Sequence, residues 1–403
     1  MKSEDGSYPE WGQSLRIIYP VPEGIHFRRA RFQQIFQTSH ALARQGCEVD
    51  LLIGRNSIDP VADALPYYGL VEHKNLRIHS IAMLRREEGR FLRVSWDGFF
   101  LVLCGMKMRR LLRQRAYQAI FTRHLKPAAF FSARGSDFKL PIIFEAHEIF
   151  HLTTERNKRA EKIRQEEARI YPRMDGVVAI TRGLADKMKE VFSLQAPVMI
   201  APDGVNLDFF DIPLRREVRK KIVYVGQLYP WKGTEILVEA MAYLPLGELH
   251  LVGGSEERIQ ILRKRASQLG VADRVFSHGQ VPLKEVKSHL ADAAVAVLPL
   301  TQDLISASFT SPLKLFEYMA ARVPLVASDL PSTREVLSHG MNALLVPPGD
   351  PRALGEAIRN LLENRSLAEG LARKAREGVE EYAWDRRAEK IIRFIRSLKR
   401  GGR

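Results

Sequence analysis

A chain of 403 residues, 45% hydrophobic and 27% charged, is long enough for two ordinary domains that each bury a core. Its two cysteines, Cys47 and Cys104, lie outside any CxxC or Cys/His cluster, so neither a disulfide framework nor a zinc site is expected. The formal charge of +15 calls for anionic partners, but with no aromatic interleaving and no RRM, KH or zinc-finger signature, nucleic acid is not expected among them.

The opening, MKSEDGSYPEWGQS, is polar and acidic with no apolar signal core. The longest apolar run, Phe99–Met106, is far short of the roughly 20 residues of a spanning helix. A cytoplasmic protein is expected. The first strand is predicted at Leu15–Pro20, followed by the loop Val21–Phe27 and a helix that opens with Arg28, Arg29 and Arg31. Arginines in a first turn oppose the helix dipole, at a cost of roughly a few tenths of a kcal/mol each, so either an anion compensates them or they are plain surface charge. Gly24 and Arg28 are the candidate ligand contacts of this loop.

Further strands are predicted at Glu48–Ile53, Leu76–Ile81, Ala119–Thr122, Pro141–Ala146, Gly176–Ile180 and Val198–Ala201, with amphipathic stretches between most of them. Residues 76–126 hold 12 Lys/Arg against 3 Asp/Glu, net +9, which equals the whole excess of residues 1–204 (32 against 23). Inside that segment, Arg90–Arg115 allows two readings. Trp96, Phe99, Phe100 and Val102–Leu103, flanked by Arg93 and the Lys107–Arg115 cluster, would form a helix face at an anionic membrane surface; alternatively the aromatics fill the core and the arginines are solvated. The polar cluster after the fifth strand, FEAHE at 144–148, puts His147 at a strand end. There it would hydrogen-bond a sugar, act as a base, or serve as a satisfied structural histidine.

After Asp203–Gly204 and the polar stretch DIPLRREVRK the rhythm restarts, with strands predicted at Lys221–Gly226, Glu248–Val252, Val275–His278, Val295–Leu300, Val323–Ser328 and Ala343–Val346. The loop Gly226–Gly233 includes Gln227 and, next to its last residue, Lys232, a compact charge suited to a phosphate, although it is neither a Walker loop nor a GxGxxG turn. In Ser311–Ala320, Ser311 reads as an N-cap and Pro312 as the first helical residue. The N–H groups opened there, with Leu313 and Lys314, suit a diphosphate, and Glu317 suits the hydroxyls of a ribose. The plainer alternatives are a tight turn with a solvated lysine and a capped surface helix with an i,i+3 Lys–Glu pair. Near-continuous apolar strands separated by helices imply parallel sheets covered on both faces, hence an α/β protein of two doubly wound domains whose ligands bind at the strands' carboxyl ends.

Taken together and in order, these stretches resemble the retaining glycosyltransferases of family four, which have the GT-B fold of two Rossmann-like domains facing across a cleft. VYVGQLYPWKG resembles their diphosphate loop, SPLKLFEYMAARVPLVASD their donor helix and following strand, and FEAHE their acceptor-domain histidine loop. FSHGQV with VAVLPL resembles the nucleotide-base region. APDGVNLDFF resembles the hinge-side Asn-Gly-Val-Asp turn, with Asp203 and Asn206 exchanged in kind, and EYAWDRRAEKI the helix that crosses back to the first domain. The implied organisation is an acceptor-binding domain at 1–204, a linker at 205–219, a nucleotide-sugar domain at 220–382 and a crossing helix at 383–403. The implied reaction moves a sugar from a UDP- or GDP-sugar to a glycan or lipid-linked acceptor with retention of configuration, on the cytosolic face of a membrane. His147, Lys232 and Glu317 are its catalytic candidates, His147 positioning the sugar while the leaving phosphate helps to deprotonate the acceptor. Gly226, Gln227, Lys232, Ser311, Pro312, Leu313, Lys314 and Glu317 are the donor contacts, and Gly24 and Arg28 the acceptor contacts. No D-x-D triplet occurs, so no catalytic metal or other cofactor is expected. Two positions depart from the family pattern: Gln227 replaces the usual arginine five positions before the lysine, and Phe309 replaces a glutamate eight before Glu317. Some members carrying the SPLKLFEYMA pattern share both. The alternatives are an epimerase or phosphorylase of the same fold and a nucleotide-sugar-binding protein that has lost catalysis.

Overall fold

The computed structural model describes residues 14–27, 29–55, 60–83, 96–134, 138–213 and 220–398. Arg28, Arg90 and Arg93 therefore lie outside the described residues, as does the side chain of Trp96.

Every expected strand forms. β1 (Arg16–Gly24), β2 (Glu48–Gly54), β3 (Leu76–Ile81), β4 (Ala119–Thr122), β5 (Ile142–Ala146), β6 (Gly176–Ala179) and β7 (Val198–Ile200) make a seven-stranded sheet of order β3-β2-β1-β4-β5-β6-β7. β8 (Lys221–Val225), β9 (Glu248–Val252), β10 (Val275–Gly279), β11 (Val295–Leu298), β12 (Leu325–Ser328) and β13 (Leu344–Val346) make a six-stranded sheet of order β10-β9-β8-β11-β12-β13. All pairings are parallel. β1 runs four residues beyond its expected end at Pro20. Past Ile18 it pairs with β2 alone, so a strand bearing Pro20 and Pro22 continues as an edge would, with a register shift between Val21 and Gly24. Successive residues alternate between two buried faces: Ile17 and Leu51 belong to one core, Ile18 and Leu52 to the other. The second sheet repeats this with Val223 and Tyr224.

The helices that position the site are α1 (Ala30–Arg44), α2 (Trp96–Gln114), α3 (Leu283–Ala291), α4 (Leu313–Ala320) and α5 (Trp384–Ser397). On α2, Phe100, Cys104, Met108 and Leu111 recur at helical spacing and are buried against the first sheet. The aromatic membrane face is thus overturned for Phe100, which fills the core; the outward face carries Val102 and Met106 beside exposed Arg109, Arg110 and Arg113. Among the described residues no helix is long and apolar enough to cross a membrane. α5 returns to the first sheet, as the resemblance implied. Trp384, Ala388, Ile391, Ile392 and Ile395 complete that sheet's core against α1. At its start, buried Arg387 donates to Glu145 Oε1 (2.7 Å), Thr38 Oγ1 (3.0 Å) and the Pro202 carbonyl (2.9 Å). The halves also meet at the helix Arg182–Phe192, whose first N–H groups donate to the Glu335 carboxylate (2.9 Å).

Candidate functional site

In each sheet the chain leaves the central strand to one side and returns on the other, between β1 and β4 and between β8 and β11. These switch points open crevices at the strands' carboxyl ends. The two crevices face each other across a cavity of about 790 Å³ lined from both domains.

On the second domain's wall, glycine is required at two places. Gly226 follows β8 with φ of +126°, and a Cβ there would stand 2.8 Å from Lys314 Nζ. Gly233 has φ of +69°, and a Cβ would stand 1.6 Å from the Pro299 carbonyl oxygen. Between them Lys232 ends the turn Pro230–Lys232 with its ammonium 3.7 Å over the Trp231 ring. Burial pushes that ammonium down to about 7, against the pull of Asp303. Lys314, in the first turn of α4, lies 3.7 Å over the Tyr224 ring, and its buried Nζ has no hydrogen-bond partner. Burial, and then the neighbouring Lys232, push it well below its ordinary value. Glu317, one turn on, is raised by burial to about 7 and accepts from Gln33 Nε2 of α1 (3.2 Å), across the cleft. The surface i,i+3 ion pair is not what forms, because Lys314 turns to Gly226 and Tyr224 instead.

Ser311 is not the helix cap. Pro312 adopts extended backbone (ψ 120°) in the capping position, and α4 begins at Leu313 with no side chain on its first N–H groups. The Ser311 hydroxyl instead accepts from the Asp203 N–H of the other domain (2.9 Å). Gln227 lines the cavity and its carbonyl accepts from Tyr224 (2.8 Å). Phe309 closes a π-helical turn (Ile305–Phe309) and is buried in the first domain's core, so an apolar contact between domains fills the position where the family pattern carries a glutamate.

On the first domain's wall, His147 follows β5 and lines the cavity, its Nε2 3.3 Å from Glu145 Oε2. Burial, and then Arg123, lower its pKa, so the neutral ring faces the cleft. Asp203 is raised by burial; its Oδ2 accepts from Gln34 (2.5 Å) while Oδ1 is unpartnered. The anion beside the first-turn arginines is Glu23 of this chain, 2.7 Å from Arg31 and 3.9 Å from Arg29, which also meets His124 at 3.1 Å. Gly24 pairs with Gly54 in the sheet and does not line this cavity. Sequence reading missed Arg123, Gln33 and Gln34. Arg123 directly follows β4 at the switch point and binds Gln34 (2.9 Å); that position was the available signal.

The chain matches the family described as glycosyl transferases group 1 over residues 219–364 and glycosyltransferase family 4 over residues 33–209. A D-inositol 3-phosphate glycosyltransferase of Xylanimonas cellulosilytica is 27% identical over 247 residues, covering 56% of this chain and 58% of that protein. A GDP-mannose-dependent alpha-(1-6)-phosphatidylinositol monomannoside mannosyltransferase of Mycobacterium tuberculosis is 28% identical over 243 residues, covering 57% and 63%. The matches thus span about three-fifths of these relatives' length. Among solved structures, a sucrose-phosphate synthase from Thermosynechococcus elongatus superposes with a TM-score of 0.73 at 22% identity, covering 95% of this chain and 99% of that one. Anabaena HepE in complex with UDP superposes with a TM-score of 0.74 at 14% identity, covering 95% and 100%. These two likenesses concern the fold.

Proposed function

The chain belongs to the group 1 glycosyltransferases of family 4, and on that premise we propose that it transfers a sugar from a UDP- or GDP-sugar to a glycan or lipid-linked acceptor, with retention and without a catalytic metal. The observation that carries the reading is the convergence of half-buried Lys232 and buried Lys314 on one side of the cavity, with the Lys314 amine unpartnered. Two lysine amines held back from water beside an uncapped helix start hold their protons poorly by themselves and regain them against a diphosphate. As the donor bond breaks, negative charge grows on the leaving diphosphate, and preorganised cations in a site shielded from water stabilise that charge most. Glu317 would accept from the ribose hydroxyls once Gln33 gives way. His147, neutral and facing the cavity, would position the transferred sugar, while the leaving phosphate takes the acceptor proton. The M. tuberculosis relative is named for a phosphatidylinositol monomannoside, which supports a lipid-linked acceptor here, and the cationic outer face of α2 would hold the protein at an anionic membrane.

The test is a panel of UDP- and GDP-sugars assayed for nucleoside diphosphate release with and without acceptor, followed by mass spectrometry of the product. Acceptor-dependent release supports the transferase. Sugar interconversion without an acceptor, or nucleotide binding with no release from any donor, would overturn it.

A further inference from the structure

Away from the cleft, the second sheet gathers three histidines that lie far apart in sequence. His250 is on β9, His278 on β10 and His289 on α3, and one ring nitrogen of each lies within 4.8 Å of the other two. A β-bulge helps to assemble them. Phe276 and Ser277 pair with His250 and Leu251, but Gly279 pairs with Val252, which leaves His278 as the extra residue. Bulges of this kind re-aim a side chain. His278 Nε2 stands 2.9 Å from His250 Nδ1, and the His278 and His289 rings are 4.5 Å apart.

We propose that His250, His278 and His289 bind one divalent transition-metal ion of the zinc class, apart from the glycosyl-transfer chemistry. Three imidazoles suit Zn²⁺, Co²⁺, Ni²⁺ or Cu²⁺, whereas Mg²⁺ and Ca²⁺ favour oxygen. Metal–nitrogen bonds of about 2.0–2.1 Å in tetrahedral geometry set ligand nitrogens roughly 3.3 Å apart, so the His250–His278 contact needs to open by only a few tenths of an ångström. The surroundings fit a ligand set. His250 Nε2 is buried, has no hydrogen-bond partner and lies 3.7 Å from Glu248 Oε2, the arrangement in which a ligating histidine turns its second nitrogen to a carboxylate. Exposed His278 leaves a side open for a water as fourth ligand. One feature opposes a cation: Lys221 Nζ is 3.4 Å from His289 Nδ1, although Asp292 Oδ2, 4.0 Å away, offers it another partner. The ion would tie β9, β10 and α3 together directly behind the cleft wall that Gln280, Val281 and Val286 supply.

The experiment titrates tag-free, chelator-dialysed protein with Co²⁺ alone, followed by visible absorption. The expected result is one Co²⁺ per chain with the intense bands of four-coordinate cobalt. The His278→Gln/His289→Gln variant, checked for folding by circular dichroism, should lose that spectrum and bind at least about tenfold more weakly. Lys221→Met, which removes the adjacent cation, should bind about tenfold more tightly. No saturation near one equivalent, the same spectrum in the double variant, or unchanged affinity in Lys221→Met would each overturn the site. None of these readouts depends on glycosyl transfer.

Discussion

Lys232 gives the proposed donor site a pH dependence whose sign and size follow from its burial. Its ammonium is pushed down to about 7 by burial, and a diphosphate held against it would restore a value near the ordinary ~10.4. Binding therefore takes up a proton wherever the pH exceeds 7, and affinity falls as pH rises through the window between the two values. Half of the protein carries the charge at pH 7 and about one-hundredth at pH 9, so Lys232 alone weakens UDP or GDP binding about 50-fold across that interval. Glu317 acts in the opposite sense. Its carboxyl, raised to about 7, accepts from ribose hydroxyls when ionised, and passing from half to full ionisation strengthens binding about twofold. The net expectation is a loss of roughly 25-fold between pH 7 and pH 9, and Lys314, which burial also pushes well below its ordinary value, adds to the slope. Calorimetry in buffers of different ionisation enthalpy reads both the affinity and the protons exchanged. An affinity that is flat over this range, or net proton release at pH 8, would refute the reasoning.

Lys232→Ala and Glu317→Ala should each lower turnover by about a hundredfold or more while remaining folded; near-normal transfer by either would remove the donor-site assignment. Transfer should survive EDTA within about twofold, and loss of activity rescued by manganese or magnesium would show a catalytic metal after all. At low salt the protein should sediment with anionic but not neutral vesicles. Reversing Arg109, Arg110 and Arg113 to glutamate should release it without changing donor hydrolysis in solution, whereas a wild type that ignores anionic vesicles points to a soluble acceptor. Arg387→Ala leaves Glu145 buried without its cation and should destabilise the protein by about 3–5 kcal/mol in urea unfolding; a loss below about 1 kcal/mol would mean that water reaches the carboxylate.

The strands were legible because parallel strands buried on both faces read as apolar runs. Only β1 hid its length, since Pro20, Pro22 and Gly24 look locally like a turn. Gly226, Lys232, Lys314 and Glu317 converge as the motif order suggested, because the loops that follow strands of a doubly wound sheet share one edge. What failed was decided by tertiary partners. Ser311-Pro312 looks like a cap and a first turn, yet Asp203 of the other domain claims the hydroxyl. The aromatics of α2 left two faces open, and Phe100 chose the core. Gln33 belongs to no motif and meets Glu317 only where the crevices face each other, while Arg123 holds Gln34 within its own domain. The histidine trio stands on three separate elements, so no spacing rule along the chain detects it.

The return of α5 also orders events during synthesis. Ile17, Phe32 and Phe121 share a core with Trp384, Ile391 and Ile395, so the first group leaves the ribosome well before the second. At about 5–20 residues per second, the residues between Gly204 and Trp384 take roughly 10 to 40 s to be made. Throughout that interval the nascent first domain presents an open apolar groove and an uncompensated Glu145. That groove is exposed to aggregation until the chain's own distal helix arrives to close it.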